Sequence, residues 1–304
     1  MRLYRKKRKK QDVPELTFPV KRAIIISSSD DERKICLKYA LLSMAALTVS
    51  LLLGILLIRL LTRKRGVGKG KRLLAGCGVG LLLFCGAAGV YLGVYAKADE
   101  KATAAMVSSA PVSVAENEDG YLFDGPGTDA LLVFYPGGKV DETAYAPLMR
   151  TLAENGIDCI LIRMPLRLAM FGYEKAGAAL ENGDYQTKLL CGHSLGASAA
   201  ALYAADHPET LDGLILLAGY STKPVAVPTL CVYGSEDGVL ERGVYEDAKK
   251  YLPTGSAEKV IEGGNHAGFG NYGAQSGDGN ATITPEEQQE TTAREILAFA
   301  ETLQ

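Results

Sequence analysis

Two long apolar stretches open the chain, and a body of short apolar runs separated by helically spaced segments follows them. Residues 39–61, YALLSMAALTVSLLLGILLIRLL, carry a single charge, Arg59, near their end. Residues 73–95, LLAGCGVGLLLFCGAAGVYLGVY, carry none. At a helical rise of about 1.5 Å per residue, each stretch is long enough for a hydrocarbon core about 30 Å thick. Two transmembrane helices are therefore predicted, with a basic segment over 1–38, a basic connector over 62–72 and a tether over 96–119.

From residue 120 onward the pattern changes. The runs DALLVFYPGG, IDCILIRMP, KLLCGHS, LDGLILLAGY, PTLCVYGSEDG and EKVIEGGNH are short, apolar and closed by Gly, Pro or polar residues. Each of the first five reads as a buried strand, and EKVIEGGNH as a short last strand. Between them, AYAPLMRTLAENG, SLGASAAALYAADHP and EDAKKYLP have helical spacing. A last helix opens at TPEEQQ, where Thr284 can cap, Pro285 suits the first turn, and Glu286 and Glu287 suit the positive end of the helix dipole. Strands alternating with helices predict an α/β fold: a mostly parallel sheet covered on both faces. Only STKPVAV separates the fourth run from the fifth, which leaves no room for a large lid.

Charge divides the chain in the same place. Residues 1–95 hold 19 Lys/Arg against 5 Asp/Glu, and the remainder holds 14 against 30. The basic, apolar front suits a membrane, and the acidic body excludes nucleic acid as a partner. Both basic segments favour the cytoplasm, yet a two-span hairpin puts them on opposite sides. The head carries 12 Lys/Arg through Lys38, against 7 over residues 59–72, which favours a cytoplasmic head. The step from that connector to AKADEKA across the second span favours a body on the outer side. AKA at 96–98 has the form of a signal-peptidase site, but the preceding span is long for a signal peptide. GVGKGKR in the connector lacks phosphate-loop spacing and reads as a solvated basic loop beside anionic headgroups. Cys159, Cys191 and Cys231 each fall in a buried-strand run and read as small core residues, with no metal cluster or disulfide set. No cofactor is expected.

Within this frame Gly192-His193-Ser194-Leu195-Gly196 matters. It fits G-x-S-x-G, and it falls where that motif must fall to do chemistry, between a buried strand and a helix. The glycines let strand and helix approach, and Ser194 takes the strained turn between them. A neutral serine needs a base. Of the three histidines, His193 lies inside the motif and His207 follows the helix on the surface, which leaves His266, in the Gly-rich loop after the last strand. Asp237 is the expected acid, ahead of Glu236 and Asp212, and completes the order Ser194, Asp237, His266. An oxyanion hole would use the Leu195 amide with that of Gly138, or alternatively Gly137, in YPGGKV.

These residues resemble a known family. Through FYPGGKVDETAYAPL, RMPLRLAMFG, GHSLGASAA, DGLILLAGY, VYGSEDG and EGGNHAGFGNYGAQSGDGNATIT, the chain from about residue 120 to its end is similar to the α/β-hydrolase superfamily. The resemblance is to its compact dienelactone-hydrolase-like group, which has membrane-anchored bacterial members. It implies an α/β-hydrolase fold and a Ser-Asp-His serine hydrolase on an anchored, outward-facing domain in a bacterial cell membrane. Dienelactone hydrolases proper use a cysteine nucleophile, so Ser194 points to another substrate. The usual single anchor corresponds to the second span here, and the first span is extra.

The function expected is cleavage of a small-molecule or lipid carboxylic ester at a membrane. An acyltransferase would use the same residues with a different acceptor, and a non-catalytic binding module would keep the fold without needing the triad. Lys139, Arg163, Arg167 and Tyr173 are expected near the rim, and Phe269, Tyr272 and Asp278 near the pocket.

Overall fold

The computed structural model describes residues 30–63, 67–127, 129–182 and 184–303, with side chains left aside over 30–43 and at 182. The basic segment expected over 1–38 lies outside these residues as far as position 29, and the connector does so at 64–66. Two compact units divide the chain, Met1–Phe84 and Cys85–Gln304.

Helix α1 (Asp30–Leu61) occupies the first unit, and α2 (Lys69–Gly93) begins there. Both helices are long and apolar enough to cross a membrane. They start in the charged flanks ahead of the apolar stretches, because DERK and KGKR extend a helix already nucleated. Glycine sets their contact. A Cβ on Gly54 would fall 2.3 Å from Gly76 O and 2.4 Å from Gly80 N, and Cβ atoms on Gly76 and Gly80 would strike the α1 backbone. Gly76 and Gly80 are four residues apart, the spacing that lets apolar helices meet backbone to backbone. Leu52, Leu74 and Leu82 project outward, exposed.

The second unit is built on one sheet. Helix α3 (Glu100–Ala105) precedes strands β1 (Ser113–Asn117), β2 (Gly120–Asp124) and β3 (Ala130–Tyr135). Then come α4 (Ala146–Glu154), β4 (Ile157–Ile162), α5 (Ala176–Asn182), β5 (Thr187–His193), α6 (Leu195–Asp206), β6 (Gly213–Leu217), β7 (Thr229–Gly234), α7 (Arg242–Ala248), β8 (Ala257–Ile261) and α8 (Pro285–Glu301). The sheet order is β1-β2-β4-β3-β5-β6-β7-β8. Pairs involving β1 and β2 are antiparallel, and the rest are parallel.

Strand residues alternate between two cores. Leu132 and Phe134 join Leu148, Met149 and Leu152 of α4 and Ile296 of α8 on one face. Leu131, Val133 and Tyr135 join Leu180 of α5, the alanines of α6 and Tyr245 of α7 on the other. The central strands are buried on both faces, so they read as unbroken apolar runs. α8 starts as its sequence predicts: Thr284 caps it, and Glu287 returns a bond to the Thr284 amide. No helix lies between β6 and β7, as expected for a fold without a large lid.

The stretch expected as a tether over 96–119 is ordered structure instead. It forms α3 and β1, and β1 pairs with β2 along its whole length. The turn between them is held by Asn117 Oδ1, which accepts from the Asp119 and Gly120 amides, both at 2.9 Å. As an exposed edge strand, SVAEN buries no face fully and carries none of the apolar signal that marks the inner strands.

Candidate active site

Four parallel strands bring their carboxyl ends to one edge of the sheet, the usual place for a ligand in an α/β fold. β3 leads to Gly137 and Gly138, β5 to Ser194, β7 to Asp237 and β8 to His266.

Ser194 sits at φ 54°, ψ −120°, a left-handed conformation that costs a non-glycine residue roughly 1–3 kcal/mol. Packing around the turn compels it. A Cβ on Gly192 would stand 2.3 Å from Gly196 O, and one on Gly196 would stand 2.2 Å from Tyr135 O. The Ser194 amide donates to Leu217 O at 2.9 Å, and its carbonyl accepts from Ala197 and Ser198 as α6 begins. The side chain stands half-buried at the helix N-terminus, where the dipole favours negative charge.

Asp237 and His266 form the buried pair. Asp237 Oδ2 lies 2.9 Å from His266 Nδ1, with the side chains 0% and 2% exposed. Asp237 Oδ1 accepts from the Val239 and Leu240 amides at 2.9 and 2.8 Å. Burial opposes its charge, but the His266 hydrogen bond and charge and these two amides outweigh that, and the carboxyl is held below its ordinary range. With Asp237 accepting at Nδ1, a neutral His266 carries its proton there and presents a lone pair at Nε2. Nε2 is buried and has no hydrogen-bond partner. Ser194 Oγ likewise makes no hydrogen bond among the described residues, so serine and imidazole share the site without a bond between them.

The rival acids are placed elsewhere. Glu236 is exposed and accepts from Ser235 Oγ at 3.0 Å. Asp212 accepts from the Lys188 amide, at the opposite end of β5. His207 pairs with Glu174 at 2.9 Å on the surface.

Amides for an oxyanion are distinguished by their partners. The Gly137 N–H donates to Tyr145 Oη at 3.1 Å. The Gly138 N–H has no acceptor among the described residues, and a Cβ on Gly138 would lie 2.9 Å from Leu195 Cδ2. Leu195 is the first residue of α6, where amides have no intrahelical acceptor. Among the described residues the Gly138 and Leu195 amides are thus free, with the Leu195 side chain beside Gly138, and the Gly137 amide is engaged.

His193 has a structural part that its sequence position does not reveal. Tyr145 Oη, which accepts from the Gly137 amide, also shares a hydrogen bond of 2.7 Å with His193 Nδ1. Burial, with the nearby His266, pushes the His193 ring well below its ordinary pKa, so it stays neutral. Its ring packs 4.7 Å from that of His266 and 5.4 Å from that of Phe269. Hydrogen bonds therefore run from the oxyanion loop through Tyr145 to His193, whose ring then meets that of the base by packing alone.

Asp278 ties the acid and base loops together. Its Oδ1 accepts from the His266 amide at 3.1 Å and the Gly238 amide at 3.2 Å, and its Oδ2 from the Ala267 amide at 2.8 Å. Gln288, on α8, grips Asn265 by both amide and carbonyl at 3.0 and 2.8 Å. Phe269 is fully buried under His193 and does not line a pocket, while Tyr272 packs against Tyr145. Arg163 is consumed by Glu116, Glu142 and Tyr121. The Tyr173 carbonyl accepts from Tyr135 Oη. Tyr145 carries no sequence signal of its role, since it falls in an ordinary helical pattern.

This fold agrees with the sequence comparison: the chain belongs to the alpha/beta hydrolase family, whose profile matches residues 131–290. Solved structures are similar to the chain at low identity. TT1662 from Thermus thermophilus is 18% identical, over 63% of this chain and 98% of its own, with a TM-score of 0.46. A dienelactone hydrolase from Anabaena variabilis is 17% identical, over 64% and 95%, with a TM-score of 0.45. The carboxylesterase CesB from Bacillus subtilis is 11% identical, over 66% and 94%, also with a TM-score of 0.45. No curated protein matches the chain. Family membership makes the protein a hydrolase.

Proposed function

We propose that the protein is a membrane-anchored serine hydrolase that cleaves a carboxylic ester through an acyl-enzyme. Ser194 Oγ attacks the ester carbonyl while His266 Nε2 takes its proton. Asp237 holds the imidazole in the required tautomer and stabilises the imidazolium. The Gly138 and Leu195 amides receive the oxyanion. His266 returns the proton to the leaving alcohol, and water, activated by the same base, releases the acid and restores Ser194.

The observation that carries this reading is the buried Asp237–His266 bond of 2.9 Å, with Nε2 unpartnered in the same site as a strained Ser194. α1 and α2 serve as the anchor in a bacterial cell membrane, with the hydrolase domain on the outer side. Nucleic acid has no part, and the partners are the ester and membrane lipid. The test is ester turnover by the full chain in detergent. Ser194→Ala is expected to abolish turnover while thermal unfolding stays near wild type; unchanged turnover would refute the mechanism.

A further inference from the structure

Within the second unit, the oxyanion loop is fastened to the end of α2. Ala96, just past that helix, donates to Lys139 O at 2.8 Å, and its carbonyl accepts from the Asp141 amide at 2.8 Å. Lys139 immediately follows Gly138. Its ammonium lies 3.7 Å from the Tyr91 ring centre, and the Arg167 guanidinium lies 3.6 Å from that of Tyr95. The Lys139 amide donates to Arg167 O at 2.8 Å, which closes the link between the two loops. Neither cation forms an ion pair with a carboxylate among the described residues, although the body as a whole is acidic.

The loop bearing Arg167 is unusual in two further ways. Leu166 and Arg167 hold left-handed backbone at φ 52° and 56°, as Lys139 does at 58°. In the same loop Leu166, Met170 and Phe171 are 56%, 43% and 65% exposed. Scattered exposed apolar side chains are ordinary on a protein surface. Here three belong to one short loop, beside two uncompensated cations, against aromatic residues at the end of a membrane-length helix. The segment Ala169–Phe171 packs on α6, whose first residue follows Ser194. Tyrosines mark the interfacial ends of membrane spans, and unpaired Lys and Arg there meet lipid phosphates.

We propose that the 164–171 loop, with Lys139, forms a lip that dips into the bilayer holding α2, so that Ser194 draws its substrate, a lipid acyl ester, directly from the membrane. This rests on α2 as a membrane span and on Ser194 as the nucleophile. Leu166, Met170 and Phe171 enter the acyl layer, and Lys139 and Arg167 meet anionic headgroups. The acyl carbon bonds to Ser194 Oγ as its ester C–O bond breaks, and the lipid alcohol leaves with the proton carried by His266.

The chain contains no Trp, which gives a direct test. The full-length Phe171→Trp protein is reconstituted in phosphatidylglycerol–phosphatidylcholine vesicles with plain or brominated acyl chains. Val244→Trp, on exposed α7, serves as control. Bromine should quench the residue-171 emission strongly and leave the control unaffected. Equal or absent quenching at 171 overturns the lip, whatever Ser194 does. Separately, Ser194 labelling by a hexadecyl and a short polar fluorophosphonate is compared in the same vesicles. The hexadecyl probe should react faster, and Met170→Asp with Phe171→Asp should cut that advantage roughly tenfold. Quenching with equal labelling by the two probes overturns the lipid substrate. Quenching with no labelling by either supports the lip and removes the serine-hydrolase reading on which the substrate depends.

Discussion

Replacing Asp278 by Ala removes a side chain that, beside the Asp237–His266 bond itself, ties the loop of the acid to the loop of the base. Three amides outside its own turn lose their acceptor, those of Gly238, His266 and Ala267, at 3.2, 3.1 and 2.8 Å. Hydrogen bonds to a charged group contribute about 1.5–3 kcal/mol each when well enclosed. Asp278 is half-buried, so water replaces part of each, and roughly 1 kcal/mol per bond is the appropriate scale. The total is about 3 kcal/mol, and it acts where the imidazole is aimed. If about 2–3 kcal/mol of that alignment is lost from the transition state, kcat falls roughly 30- to 150-fold. KM changes little, because Asp278 does not touch the ester. Asp278→Asn retains one acceptor oxygen and should fall between, near tenfold on the same scale. Steady-state hydrolysis of p-nitrophenyl butyrate by the full chain, with thermal unfolding alongside, measures both. A folded Asp278→Ala protein with kcat within about twofold of wild type would refute the positioning argument.

Gly196→Ala forces a Cβ to within 2.2 Å of Tyr135 O and 2.5 Å of Pro136 O, backbone atoms that cannot swing aside. It should lower stability by roughly 1–3 kcal/mol or more and reduce kcat by moving the oxyanion loop, read by denaturant unfolding and ester turnover. Asp237→Asn should leave the fold intact and cut kcat about 10³–10⁴-fold, because the amide no longer enforces the His266 tautomer. Asp237 also has a pH signature. Its folded carboxyl lies below the ordinary 3.8, so its contribution to stability is full above that value and disappears as pH falls through the folded pKa. Unfolding measured across acid pH should show the wild-type advantage over Asp237→Asn shrinking below about pH 4.

The inner architecture was legible because buried parallel strands need apolar runs, and β3 to β7 each provide one ended by Gly, Pro or a polar turn, while the edge strand β8, AEKVI, is marked only by its short VI and the Gly-rich loop after it. Thr284-Pro285 with Glu286 and Glu287 announced α8. The order Ser194, Asp237, His266 was readable because each follows a strand whose end the fold must bring together. What escaped were features made by long-range pairing. β1 has an exposed edge-strand pattern with no apolar period, so it read as tether. Tyr145 is separated from β5, which ends at His193, by α4, β4 and α5, and nothing local distinguishes it from a helix-face tyrosine. Asp278 carries no sequence mark of its tie between the loops, because its four amide contacts exist only once the loops after β7 and β8 have met. The Leu166–Phe171 exposure is likewise invisible in a sequence whose apolar residues are mostly core.

An activated serine is the centre of this account, and covalent labelling tests it most directly. The full chain in detergent is treated with a fluorophosphonate and its mass shift mapped, beside Ser194→Ala and His266→Ala. A single adduct on Ser194, absent from the first variant and strongly slowed in the second, is the predicted result. An unlabelled folded wild type, or an adduct that persists in Ser194→Ala, would contradict it.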